Sequence, residues 1–195
     1  MINKYNGFEP AKMTSTERLP AGGYVCTILD AKIESYDFGQ KLALSFDILE
    51  GPYAGFYMQQ YKASTYDNKK WKGVIRFAVP NESSQYFASE KRRFENLIAC
   101  LEESNDGFHF DWDESKISKK RIGIIFRNKE YDYEGRRGWF TEPFSVTDVE
   151  SIRAEKYKIP ADKPLADPSA GADLPPAPFL NDNNAPPPND ADLPF

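Results

Sequence analysis

The chain divides at Pro160. The 36 residues from there to Phe195 hold ten of the fifteen prolines, six aspartates against the single Lys163, and no Val, Ile, Met, Tyr or Trp. A segment of this composition cannot bury enough apolar surface to offset the entropy of ordering it. The sequence therefore predicts a folded body that ends near residue 159 and a disordered Pro/Asp-rich tail over 160–195, partly polyproline-like. Charge follows the same division. Residues 1–159 carry 24 Lys+Arg and 24 Asp+Glu, so the net charge of −5 resides in the tail. A neutral body with local basic runs stays open to an anionic partner in spite of the acidic average.

Cys26 and Cys100 lie far apart in the chain, form no C-x-x-C, and are too few for a disulfide framework. The N-terminus lacks a basic-then-apolar signal pattern, and no stretch reaches the roughly 18 apolar residues of a membrane span. These features predict a soluble, cytoplasmic protein in a reducing compartment, with no membrane partner.

Residues 1–21 read as an N-terminal arm that enters the body through Leu19-Pro20-Ala21-Gly22-Gly23. Tyr24 to Ile33 reads as a first strand, with Val25, Leu29 and Ile33 on one side. Leu42 to Ile48 alternates without a break, which places Leu42, Leu44, Phe46 and Ile48 on a buried strand face. After the turn Gly51–Gly55, Phe56 to Lys62 reads as a third strand, completing an antiparallel meander. Trp71 to Val79 is open between a strand and the start of a helical connection cut at Pro80. Phe94, Leu97, Ile98 and Leu101 recur at helical spacing, predicting a helix over 90–103 with Ser89 as its cap. Arg121 to Arg127 and Gly138 to Val146 read as two more strands, the second made irregular or an edge by Pro143. A short helix over 148–157, capped by Thr147 or Asp148, closes the body. Five strands with a helix between the third and fourth predict a mainly β fold, a five-stranded OB-fold-like barrel over 22–159, a layout that commonly binds oligonucleotides.

Catalytic patterns are missing from the sequence. There is one histidine, no G-x-x-x-x-G-K-[ST] and no G-x-S-x-G, so no enzyme and no cofactor are expected. The single grouping that raises a metal is His109, Asp111 and Asp113, which would share a face if extended and would suit a divalent-metal nuclease; the competing reading is an ordinary half-buried polar face, and no metal is predicted.

Two runs interleave cations with rings, the pattern that non-specific binding of single strands needs: cations follow phosphates while rings stack on bases. The first comprises Tyr57, Tyr61, Lys62, Lys69, Lys70, Trp71, Lys72 and Arg76, with Tyr57 and Tyr61 on one face of the expected third strand. The second comprises Lys119, Lys120, Arg121, Arg127, Lys129, Tyr131, Tyr133, Arg136, Arg137 and Trp139, with Tyr131 to Trp139 read as the loop between the last two strands. The competing reading is that the cations are merely solvated and the rings fill core or edge positions.

At the end of the tail, Asp190 and Asp192 precede Leu193-Pro194-Phe195, echoed upstream by Asp173-Leu174-Pro175 and Phe179. Such a tip fits a docking role in which the Phe fills a small apolar pocket and the acids meet Arg or Lys at its rim. The plain alternative is a solubilising acidic tail.

Asp190-Ala191-Asp192-Leu193-Pro194-Phe195 is similar to the acidic-aromatic tip of bacterial single-stranded-DNA-binding proteins, departing from the usual pattern at Ala191 and at Leu193, where Ile is common. Leu19–Tyr24, Phe46–Gly55 and Gly123–Arg127 resemble segments of phage and prophage proteins of Gram-positive hosts that are often regarded as single-strand binders. The resemblance implies a phage protein that coats single-stranded DNA in the bacterial host cell during replication, recombination or repair and recruits host or phage proteins through its tip. A rival from another class is a protein-interaction module or decoy that occupies host replication and repair factors without binding DNA. Oligomeric state is not legible in the sequence.

Overall fold

The computed structural model describes residues 18–166. The expectations placed on 1–17 and 167–195, among them the tip residues Asp190, Asp192, Leu193, Pro194 and Phe195, lie outside the described residues. Five strands, β1 (Gly22–Tyr36), β2 (Gly39–Ile48), β3 (Val74–Ala78), β4 (Arg121–Tyr133) and β5 (Arg136–Thr147), alternate with helices α1 (Phe56–Ala63), α2 (Phe87–Ser104) and α3 (Val149–Arg153) and a 3-10 turn at Glu114–Ile117. The strands form one antiparallel sheet in the order β3-β2-β1-β4-β5. The mainly β, five-stranded expectation holds. Among the described residues no helix is long and apolar enough to cross a membrane.

β2 follows its sequence pattern, with Leu42, Leu44, Phe46 and Ile48 all buried. β1 departs from its pattern. A register shift between Ile28 and Asp30 inserts one unpaired residue, which reverses which side chains face inward. Cys26 and Ile28 before the shift and Ala31 after it are buried on one face, whereas Leu29 alternates with Ile28 onto the other and is exposed; Ile33, opposite Leu42, remains 38% exposed.

The expected third strand at Phe56 to Lys62 is helix α1. The reason lies ten residues upstream. α1 begins at Gly55 with no side-chain cap of its own, and the carboxylate of Asp47, buried on β2, supplies one from outside. Asp47 Oδ1 accepts from Ile48 N at 2.8 Å and Tyr57 N at 3.0 Å, and Oδ2 accepts from Met58 N at 3.1 Å. Two N–H groups of the first helical turn, which no residue within the helix can satisfy, are thereby paired with a negative charge. The third strand is instead β3, laddered to β2 from Lys41↔Ala78 to Ser45↔Val74.

α2 starts at Phe87, three residues before the expected start. Ser89 does not cap it; the cap position is Tyr86, whose carbonyl accepts from Ser89 Oγ at 2.8 Å. Phe94, Leu97 and Leu101 are buried with Phe46, Ile124 and Phe126 in the main core. The helix packs against both edge strands, β3 and β5, and Asn96 Nδ2 donates to the Val146 carbonyl at 3.4 Å. It thus covers the interval between two edges that share no ladder. On the opposite face of the sheet, Val25 and Ile125 pack against Val149 and Ile152 of α3, a five-residue helix capped by Asp148, which accepts from Ser151 N at 2.7 Å.

β5 is an edge strand, and its register slips beside Pro143, so that Ile125 faces Ser145 while Phe126 faces Pro143. Proline, lacking a donor, is accommodated there. The residues after α3 return to the sheet. Lys163 lies parallel to β4, donating its N–H to Asn128 O and accepting from Glu130 N, both at 2.9 Å. Asn128 Nδ2 also donates to Asp162 Oδ1 at 2.9 Å, and Leu165 N to Glu130 Oε2 at 3.0 Å.

Candidate nucleic-acid interface

β4 is paired with β1 only as far as Gly22↔Phe126. Beyond that point β4 and β5 continue together as an arm, laddered from Arg127↔Glu142 to Tyr133↔Arg136. The arm closes in a two-residue turn, because Glu134 (φ 49°) and Gly135 (φ 80°) both take the left-handed conformation that matches the twist of a hairpin. The expected loop over Tyr131 to Trp139 is therefore strand on both sides of this turn.

Strand pairing sorts the arm's side chains, since residues directly opposite share a face. One face carries Arg127 with Glu142, Lys129 with Phe140, Tyr131 with Gly138, and Tyr133 with Arg136. The other carries Asn128 with Thr141, Glu130 with Trp139, and Asp132 with Arg137. Two predicted site residues, Arg137 and Trp139, are thus separated from Tyr131, Tyr133 and Arg136. Arg137 pairs with Asp132 at 3.1 Å, and the Trp139 carbonyl accepts from Arg18.

The first face alternates cations with rings. The Arg127 guanidinium stands 4.3 Å from the Phe144 centroid and Lys129 Nζ 5.6 Å from that of Phe140. Both cations meet Glu142, at 2.7 and 3.4 Å. The Tyr131 ring lies over Gly138, where a Cβ would come within 2.6 Å of its hydroxyl, and 6.2 Å from Phe140. Arg127 is nearly enclosed by Glu142, so it braces the face more than it offers charge to a ligand. Lys129 belongs to the second predicted run, whereas Phe140 and Phe144 are not among the residues predicted from sequence. The signal for them is the alternation Arg127-x-Lys129-x-Tyr131-x-Tyr133 combined with a two-residue turn, which fixes the facing residues on β5.

The first predicted run is brought together only in part, Trp71 lying between Tyr57 and Tyr61. Tyr57 is buried, edge-on to Phe46 and Phe56, and belongs to the core. Trp71 Nε1 donates to the carbonyls of Phe46 and Gly73, each at 3.1 Å, so the indole fastens the approach to β3. Tyr61 is half-exposed beside it, 5.8 Å away, with Lys69 Nζ 5.8 Å from its centroid. Lys62, Lys70 and Lys72 are exposed. Arg76 sits apart, opposite Ala43 on β2, and grips Glu34 through Nε and Nη2 at 2.8 and 3.2 Å.

No family model and no curated protein matches this chain.

The His109 grouping does not form a metal-binding cluster. His109 stands 3.9 Å from Glu102, whereas Lys116 forms ion pairs with both Asp111 and Asp113. Among the described residues no group of three or more His, Cys, Asp or Glu is placed to hold a metal ion. Two further exposed rings escape the sequence reading, Tyr36 and Phe38 at the turn between β1 and β2. Turn chemistry at Asp37-Phe38-Gly39 masks them.

Proposed function

We propose that the chain is a non-catalytic, largely sequence-independent single-stranded-DNA-binding protein whose contact surface is the ring-bearing face of the β4–β5 arm. The observation that carries this reading is the presence of Lys129 and Arg136 with Tyr131, Tyr133 and Phe140 on one face of a two-stranded arm. Cations placed between rings meet phosphates while the rings take bases, without reference to sequence. Glu130 and Asp132 lie on the opposite face, which leaves the ring-bearing side the more cationic. An OB-like reading of the body is supported by the strand order, by the sharing of β1 between the two halves of the sheet, and by the seating of α2 across the interval between β3 and β5.

The acidic-aromatic residues Asp190, Asp192, Leu193, Pro194 and Phe195 are proposed as the docking element for replication or recombination proteins. Their composition supports it.

Titration of labelled oligo-dT with the full chain across a salt series tests the DNA reading. Binding that weakens with salt, by a log–log slope of about −0.7 for each phosphate contacted, supports it. No binding at low salt overturns it in favour of a protein-interaction module. Deleting Phe195 should leave oligo-dT affinity intact and abolish recovery of partner proteins; equal recovery would refute docking.

A further inference from the structure

A second group of rings stands at the other end of β1. The arm departs where Gly22 pairs with Phe126, and β1 turns into β2 after Tyr36, so on the order of 45 Å of strand separates the two places. At that turn Phe38 is 75% exposed. Its ring lies parallel to Tyr36, with centroids 5.1 Å apart and planes 15° from each other. The Tyr36 hydroxyl donates to Glu34 Oε2 at 2.6 Å, and Arg76 holds that carboxylate through two hydrogen bonds. Lys41 Nζ stands 5.4 Å from the Tyr36 centroid and 5.3 Å from that of Phe38. Tight turns ordinarily carry Gly, Asn, Asp or Ser. Here one carries a ring that points into water, fixed from below by a chain of hydrogen bonds.

We propose that Tyr36 and Phe38 form a stacking site for one unpaired nucleobase, with Lys41 placed for the adjoining phosphate. The site is separate from the arm and rests on the single-stranded-DNA reading proposed for it. The surroundings favour a flat π ligand over an apolar side chain of a protein partner. The neighbouring sheet face offers small residues, Ala43 and Ser45, and the ion pairs Lys32–Asp30 and Arg76–Glu34, not an apolar cavity. Those pairs cancel, and Asp37 shares the turn with Phe38. Stacking therefore supplies the affinity that Phe38 contributes, with Lys41 adding at most one phosphate contact. Its contribution varies little with salt, in contrast to that of the arm.

The test uses the full chain and labelled oligo-dT, in one short and one long length, at low and high salt. Phe38→Ala should weaken binding of the long oligonucleotide by about fivefold or more, by the same factor at both salt concentrations, with less effect on the short one. Phe38→Trp should keep wild-type affinity and add an emission component that oligo-dT quenches. Should Phe38→Ala fail to fold by circular dichroism, Phe38→Trp decides. If the wild type binds, Phe38→Ala binds equally and the added emission of Phe38→Trp is not quenched, the stacking site is overturned and the arm reading stands. A loss confined to low salt likewise overturns it. No binding by the wild type at low salt removes both readings.

Discussion

The carboxylate of Asp47 on β2 accepts the backbone N–H of Tyr57 at 3.0 Å, which fixes the first turn of α1 to the sheet and seats the Tyr57 ring against Phe46. Asp47 accepts three backbone donors in all. Removing it leaves these N–H groups without that partner, those of Ile48 and Tyr57 in a buried setting. Asp47→Ala should lower stability by about 2–4 kcal/mol, read as a lower urea midpoint, and Asp47→Asn by less. Unchanged midpoints for both would show that α1 holds its position without this cap.

The two faces of the arm make opposite predictions for its rings. Tyr131 shares its face with Lys129 and Arg136 and rests on Gly138, whereas Trp139 faces Glu130 on the other side. Tyr131→Ala should weaken oligo-dT binding by about tenfold, and Trp139→Ala should change it by less than about twofold. Gly138→Val should act like Tyr131→Ala, because the added side chain occupies the place of the ring. The reverse order of effects would move the interface to the opposite face.

Those two cases also show where the sequence is legible and where it is not. The alternation in Leu42 to Ile48 is a local pattern that survives into β2 unchanged, and Phe94, Leu97 and Leu101 declare α2 by spacing alone. Phe56 to Lys62 misleads, because what makes it helical is a carboxylate on another element, and periodicity within eight residues carries no trace of that partner. β1 misleads as well: Cys26 and Ile28, not Leu29, alternate onto the buried face, and the register shift after Ile28 then brings Ala31 onto that face. At the candidate site, the cation and ring content of the arm is legible, but its division into two faces depends on the position of one two-residue turn. Reading Tyr131 to Trp139 as a loop removes the alternation that separates Trp139 from Tyr131.

Acid should expose two of the carboxylates that brace this structure. Hydrogen bonds from Arg76 hold the Glu34 carboxyl below its ordinary range, and the Ser151 hydroxyl does the same for Asp148 at the start of α3. In the unfolded chain both protonate at their ordinary values near about pH 4; the folded chain resists. Their stabilisation is complete above that range and is lost as pH falls through it toward the depressed folded values. The thermal midpoint should be flat from neutral pH down to about 5 and should fall below about 4, more shallowly in Glu34→Gln. An equally steep fall in that variant would exclude Glu34 as a contributor.

The pairing of Lys163 with β4 predicts a local effect of the segment that follows α3. Past Phe126, β4 has no β1 partner on its inner edge, and Asn128 O and Glu130 N are satisfied there by Lys163. Leu165 N then meets the Glu130 side chain instead of the next backbone carbonyl, so regular backbone pairing stops after one residue. The attachment is shallow, with Leu165 exposed and no residue of the segment in the core. A chain shortened to residues 1–159 should keep its thermal midpoint within a few degrees, yet the Glu130 amide should exchange with solvent deuterium about tenfold faster or more, as a bond lost from a low-stability element does. Amides whose carbonyl partners lie on β5, such as Tyr131, should be protected to the same extent in both chains. Equal exchange at Glu130 in the full and shortened chains would mean that Lys163 leaves the strand edge in solution.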